Sequence, residues 1–430
     1  MVMQRIVIVG GGAGGLELAT QLGRSLGRRA KVILVDGSAT HIWKPLLHEV
    51  ATGALNTGED EVNYFGHAWR NAYHFEYGWM SGLDRERKVI QLAAVKDHAG
   101  KDIAAPREIA YDTLVLALGA IANDFGTPGA QEHCMFLNNP EDAELLRKKI
   151  LALSFAVGVS GNAVKKLNIG IVGGGPTGVE LAAEIDHTIR EMHIYGAELS
   201  PAQLEITIIE GMPRILAGAP ESLSAYASEA LATRGILVAN QSRVTAVTEQ
   251  GFVLADGRFI ASDIRVWVAG VKAADWLTDL GLKTNKLNQI EVTSRLQTLS
   301  DPAVYALGDC ACALDGEGGS PLAATAQVAH QQADYLAKAL IAQLAGRSLA
   351  PFVFKPQGMM VSLGKHTAVG SLASIVGPKR NYYVSGRSAK LIYASLYRMH
   401  QAAVHGWILT GLLWMGDKLR RVARPALKLH

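Results

Sequence analysis

Three glycines near the N-terminus have the spacing of a nucleotide-binding loop. Gly10, Gly12 and Gly15 follow an apolar run and precede a helical pattern. The first glycine permits a tight turn, the second lets a pyrophosphate approach the backbone, and the third lets helix and strand pack closely. The N-terminus of the helix offers free N–H groups to the phosphates. Asp36 follows about twenty residues later, where a carboxylate accepts hydrogen bonds from a ribose 2′-hydroxyl, so these residues predict a dinucleotide site.

The same pattern occurs a second time. Residues 168–185 repeat residues 5–22 with 10 identical residues in 18, and the second copy also reaches an acid, Glu210. A lone glycine motif is weak evidence, but two complete units predict that one chain binds two dinucleotides. The predicted binding residues are Gly10, Gly12, Ala13, Gly14, Gly15 and Asp36 in the first unit, and Gly173, Gly175, Pro176, Thr177, Gly178 and Glu210 in the second.

Buried strands must position these loops. Residues 6–9, 32–35 and 206–209 are short apolar runs, typical of parallel strands that are covered on both faces. Two further strands end in glycine, and they would bring Ala117, Gly119 and Gly270 close to the bound nucleotides. We therefore predict an α/β protein with two Rossmann-like dinucleotide-binding domains.

The second domain is predicted to interrupt the first. Residues 1–120 and 290–345 would form the first, discontinuous domain, and residues 121–289 the second. Residues 346–430 would form a C-terminal region that meets a membrane or a second subunit. A chain of 430 residues is long enough for two or three such domains.

Polar side chains follow where the chain returns to the first domain. Asp309 ends a strand and places a carboxylate at the mouth of that domain. The small-residue stretch from 323 to 333 predicts a helix, on which Ala326 leaves room for a large ring. Gln327 and Gln331 lie four residues apart and therefore on one face. They are either functional amides or surface amides on an ordinary core helix.

The segment after Asp36 contains Lys44 and Pro45 and predicts a loop that enters a helix. Lys44 is either a cation beside a bound cofactor or a solvated loop lysine. The chain has no cysteine before Cys134, so the Cys-x4-Cys pair of dithiol enzymes is missing here. Three cysteines in all give no disulfide framework and no metal-ligand spacing, and we predict no metal site. We also expect no secretory leader and no transmembrane helix.

The charge is concentrated in the C-terminal tail. Residues 335–430 carry 14 Lys and Arg against one acid, Asp417, so the tail is +13 and the rest of the chain, whose total is +3, is −10. After Gly386 the apolar residues recur at helical spacing, Trp407 and Trp414 flank the most apolar part, and a basic cluster runs from Lys418 to Arg424. Such a helix is typical of an interfacial membrane anchor, although packing on its own domain or on a second copy stays open. No nucleic-acid motif accompanies the charge, so we expect no nucleic-acid partner.

The order of these features resembles the two-dinucleotide-binding flavoproteins and, among them, the type II NADH dehydrogenases. The resemblance extends over essentially the whole chain. The segments that carry it are Gly10 to Gly15, Gly173 to Glu180, Tyr305 to Asp309, and the Ala-Gln-Val-Ala-His-Gln stretch that ends at Gln331.

The resemblance implies a non-proton-pumping NADH:quinone oxidoreductase. The first unit would hold one non-covalent FAD, with Asp309 at its ribityl hydroxyls, and the second would bind NADH. Glu180 would lie near the nicotinamide and the flavin, and Glu184 would extend a proton path. Gln327 and Gln331 would face a ubiquinone or menaquinone. The protein would lie on the cytoplasmic face of the inner membrane, held by its C-terminal helices, as a homodimer.

Two other functions are compatible with this architecture. A sulfide:quinone oxidoreductase would need redox cysteines beside the flavin, and Cys310 and Cys312 are candidates that we interpret as structural. A redox-sensing protein of the apoptosis-inducing-factor type would bind the same cofactors without rapid turnover. A carboxylate at Glu180 is by itself a weak sign of catalysis, because Glu17 occupies the same position in the first repeat.

Overall fold

The computed structural model of the chain describes residues 3–97, 99–160, 165–316, 318–364, 367–373 and 381–423. Its helices are α1 (Ala13–Leu26), α2 (Leu47–Thr52), α3 (Thr57–Asp60), α4 (Tyr64–Arg70), α5 (Ala130–His133), α6 (Pro140–Gly158), α7 (Pro176–Ile194), α8 (Glu221–Ala232), α9 (Ala326–Leu344), α10 (Gly386–His405) and α11 (Trp407–Ala423).

The strands are equally well distributed along the chain. They are β1 (Gln4–Val9), β2 (Ala30–Asp36), β3 (Thr40–His41), β4 (Val62–Asn63), β5 (His74–Tyr77), β6 (Met80–Asp84), β7 (Val89–Leu92), β8 (Val95–Lys96), β9 (Asp102–Ala104), β10 (Arg107–Ala110), β11 (Thr113–Leu116), β12 (Ile121–Ala122), β13 (Met135–Phe136), β14 (Leu167–Val172), β15 (Leu204–Ile209), β16 (Leu237–Ala239), β17 (Val244–Thr248), β18 (Gly251–Leu254), β19 (Phe259–Ala261), β20 (Ile264–Trp267), β21 (Val271–Lys272), β22 (Ile290–Glu291), β23 (Val304–Ala306), β24 (Ala311–Cys312), β25 (Gly358–Ser362), β26 (Ala368–Ala373) and β27 (Asn381–Ser385).

The chain packs as two compact units. The first contains residues 1–43, 61–121 and 271–355, and the second contains residues 44–60, 122–270 and 356–430. This division differs from the predicted domains at four places. Residues 44–60 and 356–430 pack with the second unit, and residues 271–289 and 346–355 pack with the first, because contacts distant in sequence decide the grouping.

The first unit is built on a parallel sheet in the order β23-β11-β1-β2-β5. The central strand β1 is completely covered at its apolar end, where Val7 and Ile8 expose none of their surface. Helix α1 follows β1 directly and packs against α9. This is the predicted doubly wound arrangement, with the glycine loop at the carboxyl end of the central strand.

The second unit repeats this plan. Its main sheet is parallel in the order β13-β20-β14-β15-β16, so β14 is flanked by β15 and β20 as β1 is flanked by β2 and β11. A turn at Asp256 and Gly257 joins β18 and β19, which pair antiparallel. The internal repeat of the sequence is thus a repeat of the fold, and the α/β prediction with two dinucleotide-binding domains is confirmed.

The second unit also contains an antiparallel sheet of β25, β26 and β27, against which α10 packs. Helices α10 and α11 are joined by an ion pair in which Arg398 Nη2 lies 2.6 Å from Asp417 Oδ2. Among the described residues, no helix combines the length and the apolar content needed to cross a membrane. The predicted end of the basic cluster, Arg424, lies outside the described residues.

Candidate active site

Both glycine loops have the backbone that their spacing predicts. Gly10 and Gly173 adopt φ angles of +102° and +113°, which residues with a side chain rarely adopt. A Cβ on Gly15 would lie 1.9 Å from the Gly10 carbonyl oxygen, and a Cβ on Gly178 would lie 1.9 Å from that of Gly173. The close approach of helix and strand therefore requires glycine at the end of each loop.

The middle glycine of each loop leaves open space. A Cβ on Gly12 or Gly175 would meet no heavy atom within 4 Å. Each of these residues is the N-cap of its helix, and neither helix has a side-chain cap or an acidic residue in its first turn. Open space before uncapped N–H groups fits a pyrophosphate in both units. Pro176 and Thr177 are exposed at this position.

Gly14 differs from the other glycines of the first loop. A Cβ there would lie 2.6 Å from Leu307 Cδ1 and 3.2 Å from the Ala329 carbonyl oxygen. The missing side chain thus lets α1 approach the strand end and α9. Ala13, one residue earlier, is half-buried at the first turn of the helix.

The two acids hold their loops in the same way. One Asp36 carboxylate oxygen accepts a hydrogen bond of 2.6 Å from the Gly11 N–H, and one Glu210 oxygen accepts a bond of 2.6 Å from the Gly174 N–H. The other oxygen of each acid accepts the N–H two residues further along the chain, at 2.7 Å. Burial raises the pKa of Asp36, and these N–H donors lower it. Each carboxylate is therefore oriented by the main chain at the carboxyl end of its strand.

The N-terminus of α9 lies beside the end of β23. The buried Gln332 side chain accepts a 2.7 Å hydrogen bond from the Gly308 N–H, next to Asp309. The Gln331 amide makes two hydrogen bonds with the main chain of Lys355. Its Nε2 donates to the carbonyl oxygen at 2.9 Å, and its Oε1 accepts from the N–H at 3.0 Å. Gln327 is half-buried in the first turn, after Ala326. Sequence reasoning missed Gln332, which has the same type and lies in the same motif as the two glutamines that it singled out.

Glu180 lies in a buried polar cluster of the second unit. Its Oε1 accepts a 2.9 Å hydrogen bond from the Ser362 N–H, and it also accepts one from the Tyr393 hydroxyl. Lys390 Nζ donates to the Ser362 hydroxyl at 2.7 Å and lies 5.0 Å from the centre of the Tyr393 ring. His48 Nδ1 is 3.6 Å from Glu180 Oε2. The cluster thus combines residues from α2, α7, β25 and α10.

Two of the carboxyl groups on α7, Glu180 and Glu184, can hold protons near neutral pH. Burial raises the pKa of Glu180 to about 8, although the Ser362 N–H and the Tyr393 hydroxyl oppose the shift. Burial and the charge of Glu49 raise the pKa of Glu184 to about 7. Such groups can donate and recover a proton near neutral pH.

Glu17, the repeat counterpart of Glu180, has a different environment. It is buried, and its Oε2 lies 2.5 Å from His330 Nδ1. This hydrogen bond raises the pKa of His330, so the two groups form an ion pair between α1 and α9. The same position in the repeat therefore carries a structural ion pair in one unit and a proton-holding acid in the other.

Lys44 and Pro45 form a 3₁₀ turn before α2 and are both exposed. They belong to the second unit by packing, and their contact with a cofactor stays a prediction. Ala117 and Gly119 follow β11, and Gly119 has a φ of +69°. Gly270 follows β20, with a φ of +64°.

The cysteines do not favour sulfide chemistry. All three are free thiols, and Cys310 is completely buried. Burial raises the pKa of Cys310 to about 11 and that of Cys134 to about 12. Because the thiolate is the reactive form, these side chains are unsuited to nucleophilic attack at neutral pH.

Comparison with known proteins supports a redox enzyme. Residues 4–333 match the family model described as pyridine nucleotide-disulphide oxidoreductase. A type II NADH:quinone oxidoreductase of Haemophilus influenzae is 41% identical, and the match covers 100% of both chains. A demethylphylloquinone reductase of Synechocystis is 30% identical over 97% of this chain and 98% of its own.

A solved structure shares the fold. NDH2 of Plasmodium falciparum, determined in complex with NADH, superposes with a TM-score of 0.80 at 18% identity. The match covers 99% of this chain and 100% of that one.

Proposed function

The chain belongs to the type II NADH:quinone oxidoreductases within the pyridine nucleotide-disulphide oxidoreductase family, and from this premise we propose that it oxidises NADH and reduces a quinone. The duplicated unit of glycine loop, uncapped helix and oriented acid is the observation that carries the proposal. FAD, when bound, supplies the redox chemistry by accepting a hydride from NADH and passing two electrons to the quinone. The protein contributes binding, orientation and protons.

The first unit holds FAD. Its loop from Gly10 to Gly15 offers N–H groups to the pyrophosphate, Asp36 accepts from the ribose, and Asp309 accepts from the ribityl hydroxyls. Ala117 and Gly119 supply main chain beside the nucleotide, and Ala326 leaves room for the ring at the start of α9. The open space at Gly12 supports this assignment.

The second unit binds NADH through the equivalent parts. The loop from Gly173 to Gly178 binds the pyrophosphate, and Glu210 accepts from the ribose 2′-hydroxyl. Glu180 is four residues past the uncapped N-terminus and contacts the nicotinamide. The uncapped start of α7 and the fixed Glu210 carboxylate support this assignment.

Quinone reduction consumes one proton from the medium in each turnover, because NADH supplies only a hydride for the two hydrogens of the quinol. Glu180 and Glu184 hold the proton that is needed, as their raised pKa values indicate. Gln327 and Gln331 are the two amides proposed for the quinone head group, and the Lys355 main chain orients the Gln331 amide.

Helix α11 anchors the protein to the membrane surface, on the cytoplasmic face of the inner membrane. Ile408, Leu412, Met415 and Leu419 recur at steps of four and three, and all are exposed. Lys418 lies over the Trp414 ring at 4.1 Å. Exposed apolar groups with tryptophan and cations suit the boundary between lipid headgroups and acyl chains. A quinone would then arrive from the lipid and NADH from the aqueous side.

We expect that Ile408→Glu, Leu412→Glu and Leu419→Glu together will release the protein from membranes. These side chains are 84%, 55% and 72% exposed, so their replacement should cost little folding energy. The measurement is sedimentation with vesicles that contain anionic lipids. The matched control places glutamate at three other exposed apolar sites, Ile103, Leu299 and Val353.

Retention of the triple variant on the vesicles, to the same extent as the control, would exclude α11 as the anchor. Point substitutions are preferable to a truncation near Gly386, because that cut would also remove Lys390 and Tyr393 from the Glu180 cluster.

The protein assembles as a homodimer. Leu145 and Phe155 on α6, with Val159 directly after its end, are 58%, 71% and 50% exposed, and a second copy could cover them. Sedimentation equilibrium in detergent measures the mass directly, and a monomer at micromolar concentration would reject this part of the proposal.

Gly15→Ala is expected to abolish FAD retention, because its Cβ would lie 1.9 Å from the Gly10 carbonyl oxygen and would force the loop to move. Strain of this kind costs about 1–3 kcal/mol or more. The flavin-to-protein absorbance ratio after purification is the measurement. Gly218→Ala is the matched control, since a Cβ there would meet no atom within 4 Å, and equal ratios in both variants would contradict the assignment.

The activity itself is tested by steady-state oxidation of NADH with a short-chain quinone. Rapid turnover with quinone supports the enzyme over a redox-sensing protein of the apoptosis-inducing-factor type. The raised thiol pKa values argue against sulfide as the electron donor. Sulfide-dependent quinone reduction that Cys310→Ser abolishes would reverse that conclusion.

A further inference from the structure

His48 is a buried histidine with one ring nitrogen that has no partner. It lies on α2 with 1% of its surface exposed, and its Nε2 accepts and donates no hydrogen bond among the described residues. The hydrogen bond that His48 donates to the Pro45 carbonyl therefore uses Nδ1. A buried polar atom without a partner loses its hydrogen bonds to water and gains none in return, which destabilises the folded protein. Packing alone does not explain why His48 is buried with an Nε2 that has no hydrogen-bond partner among the described residues.

Two carboxyl groups flank the imidazole. Nδ1 lies 3.6 Å from Glu180 Oε2, and Nε2 lies 4.0 Å from Glu49 Oε1. The side chain of Glu180 is 8% exposed, whereas that of Glu49 is 24% exposed. His48 thus lies between the buried acid of the site and a second acid that reaches solvent.

The charges around His48 keep its ring neutral. Burial and, to a smaller extent, the nearby charge of Lys390 lower its pKa to about 3, although the hydrogen bond to the Pro45 carbonyl opposes the shift. Titratable groups on the elements around it include Glu49 on α2, Glu180 and Glu184 on α7, Lys390 and Tyr393 on α10, and the Glu144–Arg147 ion pair on α6. A neutral imidazole has one donor and one acceptor, so it can accept a proton at one nitrogen while it releases another.

We propose that His48 is a positioning residue for Glu180 that returns to it, from Glu49, the proton that Glu180 gives up in each turnover. This inference rests on the proposed function of Glu180 as the holder of that proton. It adds the route by which a proton from solvent reaches the buried Glu180 carboxylate.

The transfer is balanced and needs no redox partner. The Glu49 carboxyl gives its proton to Nε2, and Nδ1 gives its proton to the Glu180 carboxylate, so the imidazole changes tautomer and stays neutral. Glu49 recovers a proton from water, and a rotation of the imidazole that brings its protonated nitrogen back toward Glu180 resets the relay without returning the transferred proton. Both gaps exceed a hydrogen-bond distance, so each transfer needs a bridging water or a closure of about 1 Å, as catalytic groups often show before substrate binds.

The first test uses His48→Gln, which keeps a neutral polar side chain but cannot exchange protons between its two ends. With saturating quinone we expect kcat to fall by about 10-fold or more, with a much smaller change in KM for NADH. The matched control is His67→Gln. His67 is also buried, but both of its ring nitrogens have partners, Tyr73 and Asn71.

The second readout requires no turnover. After rapid transfer of the oxidised flavoprotein into D₂O, infrared spectroscopy follows deuterium uptake by the protonated Glu180 carboxyl, identified as the band that Glu180→Gln removes. We expect uptake to be about 10-fold slower in His48→Gln than in the unsubstituted protein and in His67→Gln. A purely structural role of His48 would not change this rate selectively.

Glu49→Gln keeps the test decisive if His48→Gln does not fold, because Glu49 is part-exposed and tolerates the change. It should reproduce the loss of kcat and the slow deuterium uptake. Unchanged uptake and unchanged kcat in these variants, with turnover lost in Glu180→Gln, would overturn the relay and leave the role of Glu180 intact. Full quinone turnover in Glu180→Gln would overturn both.

Discussion

Glu180→Gln is expected to lower kcat for quinone reduction by about 100-fold, because a side chain that cannot titrate replaces a proton donor and acceptor. Gln is isosteric and can still accept the Ser362 N–H, so the loss should not come from unfolding. Steady-state turnover at saturating NADH and quinone, with the melting temperature recorded for each variant, is the measurement.

Glu17→Gln is the matched control. This substitution changes the same position of the internal repeat, and the side chain of Glu17 is also buried. Glu17, however, pairs with His330 and does not belong to the polar cluster around Glu180. We expect this control to lose stability without a comparable loss of kcat. Similar kinetic losses in the two variants would mean that the repeat position is structural in both units.

The dependence of turnover on pH further distinguishes a catalytic role of Glu180 from a structural one. A carboxyl with its pKa raised to about 8 is protonated below that pH and loses its proton as the pH rises through it. Turnover should therefore fall as the pH passes about 8 in the unsubstituted enzyme. This descending limb should be missing in Glu180→Gln.

The enzyme is expected to prefer NADH over NADPH by about 100-fold in kcat/KM, because a 2′-phosphate would lie against the Glu210 carboxylate. Two main-chain N–H groups, at 2.6 Å and 2.7 Å, hold that carboxylate at the end of β15. It cannot turn away to admit a second anion without losing them. Steady-state kinetics with each nucleotide give the ratio.

Glu210→Gln should reduce this ratio by about 10-fold, since it removes the charge but keeps the size of the side chain. Glu205→Gln is the control on the same strand, because Glu205 pairs with Lys166 at 2.8 Å and lies outside the loop. Equal efficiency with both nucleotides in the unsubstituted enzyme would contradict the assignment of Glu210.

The glycine loops could be predicted because their constraints are local. Gly10 needs a positive φ, and Gly15 needs close packing between neighbouring elements, so a short stretch of sequence reveals both. Because the pattern occurs twice, the prediction of dinucleotide-binding loops was specific. The same parallel order of strands appears in both units. The role of Gly14 against Leu307 was not visible, because its contact joins parts of the chain almost 300 residues apart.

The polar cluster could not be predicted, because burial and charge in three dimensions create it. His48 appeared in the sequence only as part of a loop that enters a helix, and Lys390 only as one cation in a basic tail. Both come beside Glu180 because residues 44–60 and 356–430 pack with the second unit. The difference between Glu17 and Glu180 likewise depends on partners from distant segments.

Anaerobic titration of the purified yellow protein tests the central claim most directly. NADH should bleach the flavin absorbance stoichiometrically, and a quinone added afterwards should restore it. A flavin that NADH does not bleach, or a bleached flavin that quinone leaves unchanged, would contradict the proposed NADH:quinone oxidoreductase activity.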